Sequence, residues 1–223
     1  MEHLRRKTLL FAGITAAVYI VLFLFIDAPT DLWVRENCGG TFIEELAATF
    51  SYMGDGSLIR LGLALGFLLI LAVDPLTKHK WTRSLLFICV SCAVALVVGE
   101  GLKFLLARHR PVLLFENGNY GLSFFSSDWA SNSSPSGHTL RVFAILTATS
   151  MLFRKLTPVF LSLAVLIGLS RIIVTDHYPS DVVFGAYIGV FAALWVYRYM
   201  YSGSSISSSS GSTEYDATAG GTQ

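Results

Sequence analysis

Apolar runs recur along this chain at lengths that a soluble core does not need, and they fix its fold class before any motif is considered. A helix crossing about 30 Å of hydrocarbon needs roughly 17–25 residues. About six stretches reach or approach that length: residues 8–26, 57–73, 84–106, 138–153, 156–174 and 182–201. The second and fourth are the shortest, so their ends are soft. Composition agrees, with 53% hydrophobic and only 14% charged residues and a mean hydropathy of +0.60, outside the range of soluble domains. A chain of 223 residues holds one domain and little more. The expectation is an all-α, integral-membrane bundle of about six transmembrane helices over residues 1–201. The net charge of +1 gives no basic field for nucleic acid, so no such partner is expected.

Residues 202–223 are rich in Ser and Gly and nearly free of large apolar side chains, a composition expected to be disordered. The first run follows Arg5, Arg6 and Lys7 as a signal peptide would. It is longer than a usual signal h-region and lacks a clear small-x-small site, so it reads as a retained first helix. Cys89 and Cys92 form a CxxC, yet they sit inside an apolar run without polar or His neighbours and read as small packing residues. Gly62-x3-Gly66 and Gly185-x3-Gly189 allow close helix approach, here for packing within the bundle.

Orientation follows from the cations. Arg5, Arg6 and Lys7, then Lys78, Lys80 and Arg83, then Arg154 and Lys155, then Arg198 fall at alternate ends of the runs. Those ends are expected to be cytoplasmic, as are both termini. Residues 27–56 carry Asp27, Asp31, Glu36, Glu44, Glu45 and Asp55 against one Arg35, and read as an outer segment on the membrane surface or over the site. Residues 107–137 and 175–181 then face outward too.

Three groups of polar residues therefore meet at the outer face. Lys103 ends the third span and Arg110-Pro111 follows it; Pro135-Ser136-Gly137-His138 opens the fourth; Ser170-Arg171 ends the fifth, with His177 and Asp181 before the sixth. Charges near hydrocarbon need a reason. Lys103, Arg110 and Arg171 suit a dianionic phosphate, the arginines as bidentate forks and the lysine as a point charge. Ser136 can cap the fourth helix, leaving the N–H groups of Gly137 and His138 free to meet an anion. Asp181, four residues after His177, can fix its tautomer and free the other nitrogen as a nucleophile. His138 suits a general acid and then a general base.

The pattern Lys103-x6-Arg110-Pro111, Pro135-Ser136-Gly137-His138, Ser170-Arg171-x5-His177-x3-Asp181 resembles the three-part signature of the type 2 phosphatidic acid phosphatase superfamily. All fixed positions are present in order. The resemblance implies a phosphohistidine on His177, acid–base work by His138, and phosphate binding by Lys103, Arg110, Ser136, Gly137 and Arg171. It also implies the family's helical bundle, with no metal and no cofactor. No carboxylate cluster in the sequence is suited to a pair of divalent ions.

The expected activity is hydrolysis of a phosphomonoester or diphosphate on a membrane lipid, with the bilayer and that lipid as partners and a bacterial inner membrane as location. Undecaprenyl diphosphate, phosphatidylglycerol phosphate and lipid A phosphate lead as substrates. The loop YGLSFF is loosely like the lipid A phosphatase branch. A lipid phosphotransferase, which needs a second lipid as acceptor, is the alternative. A non-enzymatic lipid-phosphate binder or transporter is another, but it has no need of both His177 and Asp181. Oligomeric state is not encoded in any motif.

Outside the fixed positions, Arg108 and His109 read as solvated or else as headgroup contacts, with solvation favoured, and Asp176 reads as solvent-facing. Glu100 reads as a helical partner of Lys103. Arg141 reads either as an extra phosphate contact or as a partner of Glu100 or Asp128. Tyr120, Phe124, Phe125 and Trp129 suggest an interfacial belt, or else a wall for the lipid headgroup.

Overall fold

The computed structural model describes residues 2–201; the expectation of a disordered tail lies outside the described residues. Nine α-helices follow in chain order among them: α1 Glu2–Val21, α2 Asp27–Cys38, α3 Phe42–Met53, α4 Gly56–Val73, α5 Lys80–Leu106, α6 Pro111–Asn117, α7 Gly137–Leu152, α8 Thr157–Ile173 and α9 Pro179–Tyr201. A π-helical turn, Leu22–Ile26, joins α1 to α2 without a break. No strand occurs among the described residues.

Among the described residues, five helical segments are long and apolar enough to cross a membrane: Glu2–Cys38, Phe42–Val73, Lys80–Leu106, Arg154–Ile173 and Pro179–Tyr201. The remaining apolar run is α7, a helix of 16 residues and so about 24 Å long. It packs against α5, α8 and α9 and buries polar residues such as Arg141, Thr147 and Ser150. It is the central element of the bundle, enclosed by protein on most sides.

Small residues let the helices close on α7. A methyl built on Gly189 of α9 would stand 2.5 Å from Leu140 O, and one on Gly99 of α5 would stand 2.5 Å from Leu140 Cδ2. Gly185 meets the backbone at Ser136 O in the same way, at 2.8 Å. The pattern at 185–189 thus serves internal packing. Of the other pair, Gly66 faces Cys89 Sγ at 2.9 Å while Gly62 has nothing within 4 Å. Cys89 and Cys92 are buried free thiols between helices, as small packing residues should be.

Local sequence sets the helix ends. Asp55 caps α4 by accepting from Ser57 N at 2.8 Å and Leu58 N at 3.1 Å, and Ser136 caps α7 through Thr139 N. At the approach to α5, the Asp74 carboxylate accepts from the Lys78 and His79 amides and from Thr82 Oγ1. Those hydrogen bonds hold it down at about 2, below the usual carboxylate range. The start of α1, the start of α5 and the end of α9 share one end of the bundle, since Trp195 Nε1 donates to Thr8 Oγ1 and Arg83 lies over the Tyr201 ring. The ends of α5 and α8 and the starts of α7 and α9 gather at the opposite end.

Residues 27–56, expected on the membrane surface or over the site, divide between packing into the protein and bordering the site. They are helical almost throughout, and α2 turns Asp27, Asp31, Val34 and Cys38 inward. The two aspartates are one turn apart, so both face the protein. Their acidity looks like that of a loop only when that facing is unknown. The break between α3 and α4 does reach the polar end of the bundle: a methyl on Gly54 would stand 3.2 Å from His138 Cδ2.

Candidate active site

A cavity of about 330 Å³ opens at that polar end. Lys103, Arg110, Gly137, His138 and His177 all line it, so all three blocks of the sequence pattern contribute to one wall. The other side is formed by the α3–α4 junction at Asp55, Gly56 and Ser57, with Arg60 and Arg141 beside it.

Each side chain is placed by its helix end. Lys103 sits in the last turn of α5 and pairs with Glu100 at 3.2 Å, the intrahelical pair expected from the sequence. After α5 the chain turns at Ala107, with φ 42°, and Arg110 becomes the residue before α6. Its Nε donates to Trp129 O at 3.0 Å and its guanidinium lies over the Trp129 ring. Gly137 opens α7, and a methyl there would stand 3.0 Å from Lys103 Nζ and 3.2 Å from Arg141 Nη1. Only glycine leaves that space open beneath the cations.

His177 precedes α9 in a turn closed by Asp176 N and His177 N, which both donate to Arg171 O, at 3.1 and 3.2 Å. The ring is 2% exposed. Burial depresses its imidazole to about 4, with Arg110 and Arg171 pushing the same way and Asp181 pulling against them. The ring is therefore neutral near pH 7 and keeps a lone pair. Nδ1 stands 3.9 Å from Asp181 Oδ2, an ion-pair distance longer than a hydrogen bond.

Asp181 is fully buried and fixed on several sides. Arg108 Nη1 donates to Oδ1 at 2.6 Å; Ser133 Oγ and Tyr178 N donate to Oδ2 at 2.6 and 3.1 Å. Ser136, also buried, donates its N–H to Asp181 O at 3.1 Å, tying the second block to the third. Arg171 is buried, but its terminal nitrogens pair with Ser51 Oγ and with the Asp176 carboxylate. It lies behind the lining residues and not among them.

Two sequence readings are corrected here. Arg108 is not solvated: it has no exposed surface and forms ion pairs with Asp27 at 2.8 Å and Asp181 at 2.6 Å. Ser180 Oγ, Tyr120 Oη and the rings of Phe23 and Tyr178 complete its surroundings. The sequence did hold a signal in Asp27, an acid at the end of a long apolar run. Asp176 does not point to solvent alone, because the turn at Arg171 O brings its carboxylate back onto the Arg171 guanidinium. The loop aromatics separate: Tyr120 belongs to the buried cluster, donating to Phe23 O, Trp129 lines the cavity, and Phe124 and Phe125 are exposed. Arg141 pairs with neither Glu100 nor Asp128 and donates to Gly54 O at 3.2 Å. His109 is half right, with its Nε2 in an exposed hydrogen bond to Ser123 Oγ.

The fold and sequence have known relatives. A lipid A 1-phosphatase of Rhizobium etli is 30% identical over 210 residues, covering 89% of this chain and 87% of the relative. An undecaprenyl-diphosphatase of Sulfolobus acidocaldarius is 32% identical over 116 residues, covering 49% and 52%. Among solved structures, a transmembrane PAP2 type phosphatidylglycerolphosphate phosphatase from Bacillus subtilis superposes with a TM-score of 0.63 at 18% identity, covering 86% of this chain and 94% of that one. The family model of the PAP2 superfamily matches residues 84–204, the stretch that carries every residue of the three blocks. The chain belongs to the PAP2 superfamily and is a membrane-embedded phosphoric ester hydrolase.

Proposed function

We propose that the chain, through a single domain over residues 1–201, removes phosphate from a membrane lipid by way of a phosphohistidine on His177. The observation that carries this is the convergence of Lys103, Arg110, Gly137, His138 and His177 on one cavity at the end of the bundle. Lys103, Arg110 and the amides at the start of α7, capped by Ser136, bind the phosphate. Arg171 adds its charge from behind, and together they stabilise the charge that develops in transfer.

Asp181 holds His177 by Nδ1, and that contact shortens when substrate closes the site. Nε2, the nitrogen remote from Asp181, attacks phosphorus. The P–N bond forms, the bond to the leaving oxygen breaks, and His138 gives that oxygen its proton, which the bound phosphate's negative charge lets it hold against the burial and cations that otherwise depress its imidazole. His138 then takes a proton from water, which attacks the phosphohistidine and releases inorganic phosphate. The reaction is proposed to be metal-independent. Of the buried acids that gather, Asp27, Asp31 and Asp181, two are bridged by the Arg108 cation and none lines the cavity beside His177.

The cation clusters support an orientation with the site outside and both termini in the cytoplasm, in a bacterial inner membrane, with α7 counted as a sixth span. The three leading substrates are lipid A phosphate, undecaprenyl diphosphate and phosphatidylglycerol phosphate, and each has a counterpart among the relatives. Phosphate release by detergent-purified protein in EDTA, wild type beside His177→Ala, tests the reading on those lipids. Release by wild type alone is expected. Equal release by the variant removes His177 from its role.

A further inference from the structure

Half of the cavity wall lies outside the three blocks, and it is cationic. Arg141 is 5% exposed and its Nε has no hydrogen-bond partner. Among the described residues no carboxylate pairs with Arg141 or Arg60. Asp55, the nearby acid, gives Oδ1 to the Ser57 and Leu58 amides. Asp55 is the acid within electrostatic reach of both arginines, so two guanidiniums share one nearby carboxylate and keep a net positive charge, which is costly where Arg141 is buried and cannot snorkel. A ligand that supplies the anion resolves it.

The geometry says where that anion sits. A methyl built on Gly137 would meet Lys103 Nζ and Arg141 Nη1, at 3.0 and 3.2 Å. A methyl built on Gly56 would meet Arg141 Nη2 and Arg60 Nη1, both at 3.1 Å. One guanidinium therefore turns its two ends to two sides of the same cavity. The first, over Gly137, is shared with Lys103 and reaches His138 and His177. The second, over Gly56, is shared with Arg60.

We propose that Arg60 and Arg141 form a second anion subsite beside the phosphate cradle, and that the substrate is a lipid diphosphate. This rests on the phosphatase reading above. The terminal phosphate lies in the cradle and the phosphate next to the lipid lies over Gly56. When His177 Nε2 bonds to the terminal phosphorus, the bridging P–O bond breaks and its electron pair goes to the inner phosphate. His138 protonates the bridging oxygen as in the general step, and the charge the inner phosphate carries as the bond breaks is met by Arg60 and Arg141. Water then frees inorganic phosphate from His177, so the products are a lipid monophosphate and phosphate. A lipid monophosphate would occupy the cradle and leave the Gly56 side unfilled.

The test uses the full chain in detergent with a prenyl diphosphate and the prenyl monophosphate of the same chain length. Arg60→Gln and Arg141→Gln are each expected to lower the ratio of kcat/KM values, diphosphate over monophosphate, by about tenfold or more, the loss of one charge-assisted contact. Equal losses on both substrates, or a wild type that prefers the monophosphate, would overturn the subsite while leaving the phosphatase intact. Silence on both substrates sinks the phosphatase reading instead. Binding then decides the subsite by itself. Wild type should hold a prenyl methylenediphosphonate about tenfold tighter than the matched phosphonate, and Arg60→Gln should erase the difference. Equal binding of the two by wild type rejects it.

Discussion

Arg108 Nη1 lies 2.6 Å from Asp181 Oδ1, and neither side chain has any exposed surface. The same guanidinium reaches Asp27 with its other terminal nitrogen, so the acid that opens α2 and an acid near the nucleophile share one cation. The orientation of Asp181 thus depends on a helix that contributes no lining residue to the cavity.

Arg108→Met would leave two carboxylates facing each other in the protein interior. Breaking a buried pair this way costs about 3–5 kcal/mol, so the thermal midpoint in detergent should drop sharply. Arg108→Lys keeps the charge but lacks the fork, and should fall between the two. A midpoint unchanged in Arg108→Met would mean that the acids are already neutral.

Asp181→Asn should separate fold from chemistry. Arg108 keeps Asp27 as its partner, so the protein should stay folded, while His177 loses the group that sets its tautomer. In the comparable serine-protease triad the loss in kcat is roughly 10⁴-fold, and a fall of that order is expected in steady-state phosphate release. A loss matched by unfolding would assign Asp181 to structure alone.

The neutral state of His177 makes a pH prediction with a definite sign. Its imidazole is depressed to about 4 by burial, whereas an unfolded chain protonates near 6.5. Between those values the unfolded state binds more protons, so stability falls as pH drops from about 6.5 towards 4 and is level above. The acid limb of kcat/KM should likewise lie below the ordinary histidine range. A limb centred near 6.5 would show a solvated His177.

Packing predictions rest on the glycines. At Gly189 a new methyl would meet backbone atoms, Leu140 O at 2.5 Å and Ala144 N at 2.8 Å, so α7 and α9 must part. Gly189→Ala should destabilise by about 1–3 kcal/mol, the usual range for overpacking. Gly62→Ala, where nothing lies within 4 Å, should match or slightly exceed wild type in a thermal melt.

What the sequence disclosed and what it hid divide by distance along the chain. Lys103, Arg110, Gly137, His138 and His177 are legible because each stands at a fixed offset from a span end, and the span ends fall together. The pair of Arg108 with Asp27 crosses 81 positions, and no periodicity connects them. The helix α2 was obscured by its own composition, since inward acids and surface acids look alike until a face is assigned. Arg171 shows the opposite case. Its position is legible, yet Ser51 and Asp176 draw its guanidinium away from the cavity wall. Arg141 was visible only as a choice between roles, because its neighbours Gly54 and Gly56 come from a helix junction 85 or more residues earlier.

The shared cation also orders events during synthesis. Asp27 leaves the ribosome well before Arg108, and Asp181 well after it. When Arg108 emerges, the last helix does not yet exist, whereas Asp27 and Asp31 of α2 have already been made. Of the two acids that share the cation in the finished fold, only Asp27 precedes it in the chain, and the residue it is to orient comes last.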